Sequence, residues 1–154
     1  MSNALKYDVA SVLERETDTT IANWYSRVEK ESDLVKIKLS RQERCAHLPE
    51  MFRDLVIRLR EPLPLGSKAL KSTAARAHGS LRRDQGYTAA MMVEESRMLQ
   101  VSIFETLQSH IEETESGVLL LYIMGIADEV DSQLAQAMTS YISEANSDAG
   151  PIKP

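Results

Sequence analysis

The spacing of apolar residues is the feature that most limits what this chain can fold into. Between widely spaced prolines and glycines, apolar side chains recur every three or four residues, which is the period of an amphipathic helix. No segment alternates apolar and polar residues with the period of two that a half-buried strand requires. The sequence therefore predicts an all-α fold, a bundle of five or six helices.

Cap and breaker residues place the predicted helices along the chain. The helices cover about residues 8–31, 40–61, 67–85, 88–110 and 116–144, with a break in the first near residues 17–20. Ser40, Ser67 and Thr88 are the candidate N-caps, and Ser40 has Glu43 at the spacing of a capping box. We expect residues 1–145 to form one helical sensory or regulatory domain and residues 146–154 to form a linker toward a downstream output module.

Charge and composition exclude several functional classes. The formal net charge of −5 and the isoelectric point near 5.3 argue against nucleic-acid binding, which requires a basic surface. The longest apolar run, residues 118–127, is shorter than the roughly 20 residues that cross a bilayer. The single cysteine, Cys45, leaves no intramolecular disulfide, which fits a reducing compartment. These features predict a cytoplasmic protein that binds neither nucleic acid nor a membrane.

Polar side chains gather on one face of the third predicted helix. His78, Arg82 and Gln85 stand at positions i, i+4 and i+7, so all three share that face. Gly79 inside the helix costs about 1 kcal/mol relative to alanine, which suggests a local bend or close approach by a neighbouring backbone. Gly86 suits the left-handed position just after a helix end, so a short turn leads into the fourth helix.

The fourth predicted helix begins near Tyr87 and carries two adjacent glutamates, Glu94 and Glu95. A carboxylate among apolar side chains needs a partner, and Arg82 is the nearest candidate. We therefore expect Arg82 to pair with Glu94 or Glu95, and His78 with Gln85 to extend the same cluster. Two interpretations stay open for the six residues His78, Arg82, Gln85, Tyr87, Glu94 and Glu95. One is a structural ion pair or hydrogen-bond cluster that fixes the joint between two helices. The other is a pocket for a small molecule or signal, lined by His78, Arg82, Gln85, Tyr87 and Glu94.

The stretch HGSLRRDQGYTAAMMVEESRML, residues 78–99, resembles the N-terminal domain of RsbRD-type stressosome co-antagonists, which is also found ahead of histidine kinase modules. The shared pattern is a small residue before histidine-glycine, then arginine, glutamine-glycine-tyrosine and a downstream glutamate, and a looser likeness covers residues 8–142. The resemblance implies an all-helical sensory or regulatory domain without catalytic residues, joined to an output module in the same polypeptide. It also implies a globin-like arrangement without haem as one option for the fold. No established ligand transfers to the matching residues.

A histidine phosphotransfer module that uses His78 is the main alternative function. Such modules are small helical bundles with a phosphate-accepting histidine followed by basic residues, as in AHGSLRR at residues 77–83. The usual order of histidine-x-leucine-lysine-glycine is absent, because glycine directly follows His78. No Glu-x-x-His pair, glycine-rich phosphate loop or nucleophile elbow occurs in the sequence. We therefore expect no enzymatic activity, no bound metal and no cofactor.

The last predicted helix has the spacing of a coiled-coil seam. Its apolar and small residues follow alternating steps of three and four: Leu120, Ile123, Ala127, Val130, Leu134, Ala137 and Tyr141. The first half of this seam fits the core of a monomer as well as it fits a dimer interface. Toward Tyr141 we expect the dimer interface, because small residues such as Ala137 permit close helix approach. The sequence thus predicts a homodimer whose last helix links the domain to its output module, with other signalling proteins as further partners.

Overall fold

The computed structural model describes residues 8–61, 64–67, 71–110 and 116–148, with the side chains of the last helix described from residue 119 to residue 143. Within these ranges the regular structure is all helical, which confirms the predicted fold class. Six helices have two turns or more: α1 (Val9–Arg15), α2 (Thr17–Glu29), α5 (Leu48–Arg60), α6 (Thr73–Asp84), α7 (Ala89–His110) and α8 (Ser116–Asp148). Two single turns, α3 (Ser32–Val35) and α4 (Arg41–Arg44), connect α2 to α5.

Two of the three predicted N-caps are confirmed. The Ser40 hydroxyl accepts from the Glu43 N–H at 3.1 Å, and the Glu43 carboxylate accepts from the Ser40 N–H at 3.0 Å, a complete capping box. The Thr88 hydroxyl accepts from the Met91 N–H at 3.2 Å at the start of α7. The prediction that Ser67 caps the third helix was wrong, because α6 begins at Thr73 and is capped by Ser72.

The second predicted helix is divided in two. The capping box starts only the single turn α4, and a new helix, α5, begins at Leu48 with Pro49 in its first turn. Proline has no N–H to donate and is tolerated in the first turn of a helix, whereas in a helix interior it removes a hydrogen bond. A new helix therefore begins with Pro49 in its first turn, instead of one helix continuing through the proline. The predicted break in the first helix lies at Glu16, between α1 and α2.

The core forms where α1, α2, α5, α7 and α8 meet, with α6 packed chiefly against α8. Trp24 on α2 is fully buried and donates its indole N–H to the Glu95 carbonyl of α7 at 3.1 Å. The helices α6 and α8 approach each other closely at Gly79, where an added Cβ would lie 1.9 Å from the Ala137 carbonyl oxygen. The close backbone approach predicted at Gly79 is thus confirmed, and its partner is α8.

The long helix α8 extends into the segment predicted as a linker. Its 33 residues end at Asp148, and residues 149–154 lie outside the described part of the chain. A helix of this length spans about 50 Å at the usual rise per residue. Among the helices in the described ranges, none combines the length and apolar composition needed to cross a bilayer.

Candidate functional site

Two polar residues of α6, His78 and Arg82, face the interior of the bundle. His78 is 7% exposed and Arg82 is fully buried, one helical turn apart on the same face. The helix ends at Asp84, and Gly86, just beyond the cap residue Gln85, has a φ of +91° in the left-handed region that favours glycine. The Tyr87 N–H donates to the Arg82 carbonyl at 3.0 Å and closes this turn. The turn directs the chain back so that α7 passes beside the buried face of α6.

The Arg82 guanidinium bonds to three partners from different parts of the chain. Its Nε donates to Glu95 Oε1 at 3.0 Å, and its two terminal nitrogens donate to Gln85 Oε1 at 2.7 Å and to the Arg44 carbonyl at 2.5 Å. The guanidinium carbon also lies 4.7 Å from the centre of the Tyr87 ring, within the range of a cation–π contact. Arg82 therefore ties α6 to α7 and to the end of α4.

Glu95 carries the negative charge of this cluster. Its side chain is buried, and Oε1 lies 3.3 Å from His78 Nε2 as well as 3.0 Å from Arg82 Nε. Burial alone would raise the pKa of Glu95, but the hydrogen bond from His78 and the charge of Arg82 outweigh it and hold that pKa below its ordinary value. Glu95 is thus ionised at neutral pH, with its Oε1 between the Arg82 guanidinium and the His78 ring.

Tyr87 connects the cluster to two further elements. Its hydroxyl accepts a hydrogen bond from the Arg44 guanidinium, and its backbone carbonyl accepts one from the Tyr141 hydroxyl of α8 at 2.7 Å. Burial and the nearby charge of Glu95 raise the pKa of Tyr87 well above its ordinary value, so the phenol stays neutral. The cluster is therefore anchored to α8 by a direct hydrogen bond.

The structure brings five of the six predicted cluster residues together: His78, Arg82, Gln85, Tyr87 and Glu95. Glu94 does not belong to the cluster. It is half-buried and pairs with the exposed Arg97 three residues along α7. Adjacent residues on a helix point about 100° apart, so only one of the two glutamates can face Arg82.

Two residues of the site were missed by sequence reasoning. Arg44 is buried at the end of α4 and donates to the Ile37 carbonyl at 2.7 Å and to the Tyr87 hydroxyl. His47 lies with its ring centroid 6.0 Å from that of His78, edge to face, and burial followed by the charge of His78 lowers its pKa. Neither has a sequence signal, because both reach the cluster from a separate, irregular part of the chain.

A second buried polar group, also missed, joins α5 to α8. The Gln133 amide donates to the Met51 carbonyl and to Glu129 Oε1, both at 3.0 Å. Glu129 is buried, and this burial raises its pKa to about 7, although the hydrogen bond from Gln133 and the charge of Arg58 oppose the shift. This carboxyl therefore titrates near neutral pH.

The described residues contain no group of three or more potential metal ligands.

The predicted seam on α8 has the opposite arrangement to the one expected. Val130, Ala137 and Tyr141 are buried within the single chain, and Leu134 is half-buried. Ala137 packs against Gly79 of α6, and the Tyr141 hydroxyl donates to the Tyr87 carbonyl. This end of the seam is therefore covered within the single chain, and the homodimer itself stays a prediction. Toward the start of α8, Ile123 and Ala127 are half-buried, and Leu120 is 56% exposed. The small residue Ala137 does permit close helix approach, but to α6 of the same chain.

Comparison of the chain with protein family models, curated proteins and solved structures finds no match. The resemblance to the RsbRD-type N-terminal domain therefore stays a prediction.

Proposed function

We propose that this chain is a non-catalytic sensory and dimerisation domain that stands at the N-terminus of a bacterial signal-transduction protein. In this proposal the protein is cytoplasmic, and its output module is a histidine kinase or a stressosome-type regulator in the same polypeptide. The observation that carries the proposal is the burial of His78 in an ion cluster beside α7. That burial favours a regulatory domain over a phosphotransfer module, which needs the same histidine at its surface.

The surroundings of His78 oppose phosphate transfer on two grounds. The side chain is buried, and both ring nitrogens are inside the protein: Nε2 lies 3.3 Å from Glu95 Oε1, and Nδ1 is inaccessible to solvent. A phosphoryl group on Nε2 would also meet the Glu95 carboxylate, and like charges at such a distance repel strongly in a poorly solvated site. This chemistry favours a structural or regulatory role for His78.

The contacts around the cluster supply a route by which a local change can reach α8. Arg82 links α6 to Glu95 of α7, and the Tyr87 backbone carbonyl accepts a hydrogen bond from the Tyr141 hydroxyl of α8 at 2.7 Å. Because packed helices shift as units rather than deform continuously, a rearrangement of the cluster would move α8 relative to α6. We propose that α8, with its 33 residues, passes this movement to the output module.

Phosphate transfer is tested by incubating the intact chain with phosphorylated response regulators and with a small-molecule phosphodonor. We expect no acid-labile phosphate on His78 after peptide mass spectrometry. The exposed His110 serves as an internal control for nonspecific phosphorylation by the small donor. Stoichiometric, acid-labile phosphate on His78 alone would overturn the regulatory proposal and favour the phosphotransfer module.

We propose that dimerisation uses the first half of α8. Leu120, Leu121 and Met124 are large, exposed apolar side chains within little more than one turn of that helix, and such patches commonly mark interaction surfaces. Sedimentation equilibrium compares the wild-type chain with Leu121→Glu and with the matched control Ile142→Glu, which alters a similarly exposed residue of the same helix. We expect a dimer that Leu121→Glu dissociates and Ile142→Glu preserves. A monomeric wild type at all concentrations would refute this surface.

A further inference from the structure

A buried carboxyl lies in the contact between α5 and the first half of α8. Glu129 is 3% exposed, and its Oε1 accepts a hydrogen bond from the Gln133 amide at 3.0 Å. The same amide nitrogen donates to the Met51 carbonyl of α5, also at 3.0 Å. One turn earlier, α8 packs directly on α5, since a Cβ added to Gly125 would lie 3.3 Å from Leu59 Cδ2. The polar bridge from Glu129 through Gln133 to Met51 therefore lies inside the closed contact of two helices.

The charges around Glu129 give this contact more acid than base. From α5, Arg58 supplies a positive charge and Asp54 a negative one, and Asp128 adds a second negative charge from α8 itself. Arg58 is 6% exposed, and its guanidinium lies 3.5 Å from Asp128. An ionised Glu129 would thus be the third carboxylate beside one buried guanidinium. Like charges repel strongly in a poorly solvated site, so this arrangement favours the neutral carboxyl.

Hydrogen bonds from the segment before α6 fix the two flanking carboxylates in place. Asp128 accepts from the Gly66 N–H, with distances of 3.1 and 3.2 Å to its two oxygens. Asp54 accepts from the Ser72 hydroxyl at 2.6 Å. Neither carboxylate can therefore move away from Glu129 without breaking a hydrogen bond.

Other elements near α8 carry ionisable groups that serve different partners. His78 of α6 and Glu95 of α7 border the small cavity on the inner side of α8, where they pair with each other. Lys71 and Arg76 are exposed and border the surface groove that Asp128 also borders. These two bases act through solvent, where their attraction for a buried carboxylate is weak.

Burial links the loss of the Glu129 proton to opening of the contact. Glu129 Oε2 is inaccessible to solvent and has no hydrogen-bond partner among the residues that the structure describes. An ionised carboxylate left in this position costs the desolvation of its charge, and solvating it requires α8 to separate locally from α5. We infer that Glu129 is a proton-controlled latch: the neutral carboxyl holds the first half of α8 against α5, and loss of its proton favours opening of this contact. The latch is a property of the chain itself and does not rest on the proposed signalling function.

The second half of α8 has its own contacts. The close crossing at Gly79 and the hydrogen bond from Tyr141 to the Tyr87 carbonyl join it to α6 and to the start of α7. We therefore confine the opening to the first half of the helix.

The pKa of Glu129 gives the latch its working range. Burial raises this pKa to about 7, whereas in the open contact the carboxyl regains its ordinary value of 4.5. The closed contact binds the proton more tightly, so opening becomes more favourable as pH rises through the closed-state pKa. With these two values, the ratio of open to closed contact increases about tenfold between pH 6 and pH 8.

Native-state hydrogen exchange followed by NMR tests the latch at pH 6 and pH 8 in low concentrations of urea. Protection factors correct for the faster intrinsic exchange at higher pH and report the opening of each amide. In the wild type we expect the amides of residues 126–133 to be protected about tenfold less at pH 8 than at pH 6. Their protection should depend only weakly on urea, because a local opening exposes little surface.

Two variants identify the titrating group. Glu129→Gln stays neutral and keeps an acceptor for Gln133, so we expect equal protection of residues 126–133 at the two pH values. The matched control Asp131→Asn removes an exposed carboxylate two residues further along α8 and should keep the tenfold difference. An equal pH effect in Glu129→Gln would overturn the inference, since another group would then be titrating.

Two further outcomes in the wild type decide the question even if Glu129→Gln does not fold. If the amides of residues 126–133 exchange only with the strong urea dependence of global unfolding, the proton affects the whole fold and the latch is wrong. The carbon-13 chemical shift of the Glu129 carboxyl gives its titration directly, and we expect a midpoint near 7. A midpoint near the ordinary value of 4.5 would contradict the latch.

Discussion

Replacing Arg82 with alanine removes a fully buried cation from the centre of the polar cluster. The guanidinium donates to Glu95 at 3.0 Å, to Gln85 at 2.7 Å and to the Arg44 carbonyl at 2.5 Å. Its loss leaves the buried carboxylate of Glu95 with His78 as its remaining partner on Oε1. Breaking a buried ion pair by removing one partner costs roughly 3–5 kcal/mol, because the other charge stays behind without compensation. We expect Arg82→Ala to lower the free energy of unfolding by about that amount.

The matched control is Arg97→Ala, which breaks an arginine–glutamate pair with Glu94 on the surface of α7. Exposed pairs contribute about 0–1 kcal/mol, so this variant should unfold almost like the wild type. Urea denaturation at pH 7, followed by circular dichroism and by the fluorescence of Trp24, gives both free energies. If Arg82→Ala and Arg97→Ala lose the same small amount, the cluster does not stabilise the fold, and a site for a ligand or partner becomes the better explanation of these residues.

Two further predictions concern the contacts of α8 with its neighbours. Gly79→Ala should destabilise the fold by about 1–3 kcal/mol in thermal denaturation, because the new Cβ would lie 1.9 Å from the Ala137 carbonyl oxygen and neither backbone can yield easily; a stability gain from the better helix former would contradict this. Glu129→Gln should flatten the dependence of stability on pH. The folded pKa of Glu129 is about 7 against an ordinary value of 4.5, so the folded state binds the proton more tightly and the wild type loses stability as pH rises through this window. We expect the variant to gain up to about 3 kcal/mol on the wild type at pH 8 and little at pH 5, by urea denaturation; equal differences at both pH values would argue against a titrating Glu129.

The features that sequence reasoning predicted correctly depend on residues close together in the chain. The helical period, the capping box of Ser40 with Glu43 and the cap at Thr88 involve neighbours within one turn. The shared face of His78 and Arg82 likewise follows from helix geometry alone. These local rules sufficed for the fold class and for most of the polar cluster.

The features that were missed or wrong depend on distant parts of the chain. Ser72 rather than Ser67 caps α6 because the Ser72 hydroxyl also bonds to Asp54 of α5 at 2.6 Å, and its N–H bonds to Gln136 of α8 at 2.7 Å. Arg44 reaches the cluster from 38 residues before Arg82. The spacing of apolar residues on α8 predicts which of them share one face of the helix. It does not show whether another helix of the same chain covers that face.

The accessibility of His78 tests the central claim most directly, because the ion cluster and the proposed function both depend on its burial. The chain has three histidines in different environments: His110 is exposed, His47 is half-buried and His78 is buried. Diethyl pyrocarbonate modifies accessible imidazoles, and peptide mass spectrometry over a time course gives a rate for each histidine in the folded protein. His110 is exposed, but its Nδ1 lies 2.9 Å from the Thr106 carbonyl and its Nε2 lies 3.4 Å from Glu16 Oε1. We therefore expect His110 to react more slowly than it does in the unfolded chain but faster than His78, which should stay protected until the protein is unfolded in urea. Modification of His78 in the folded protein at the rate of His110 would contradict the account.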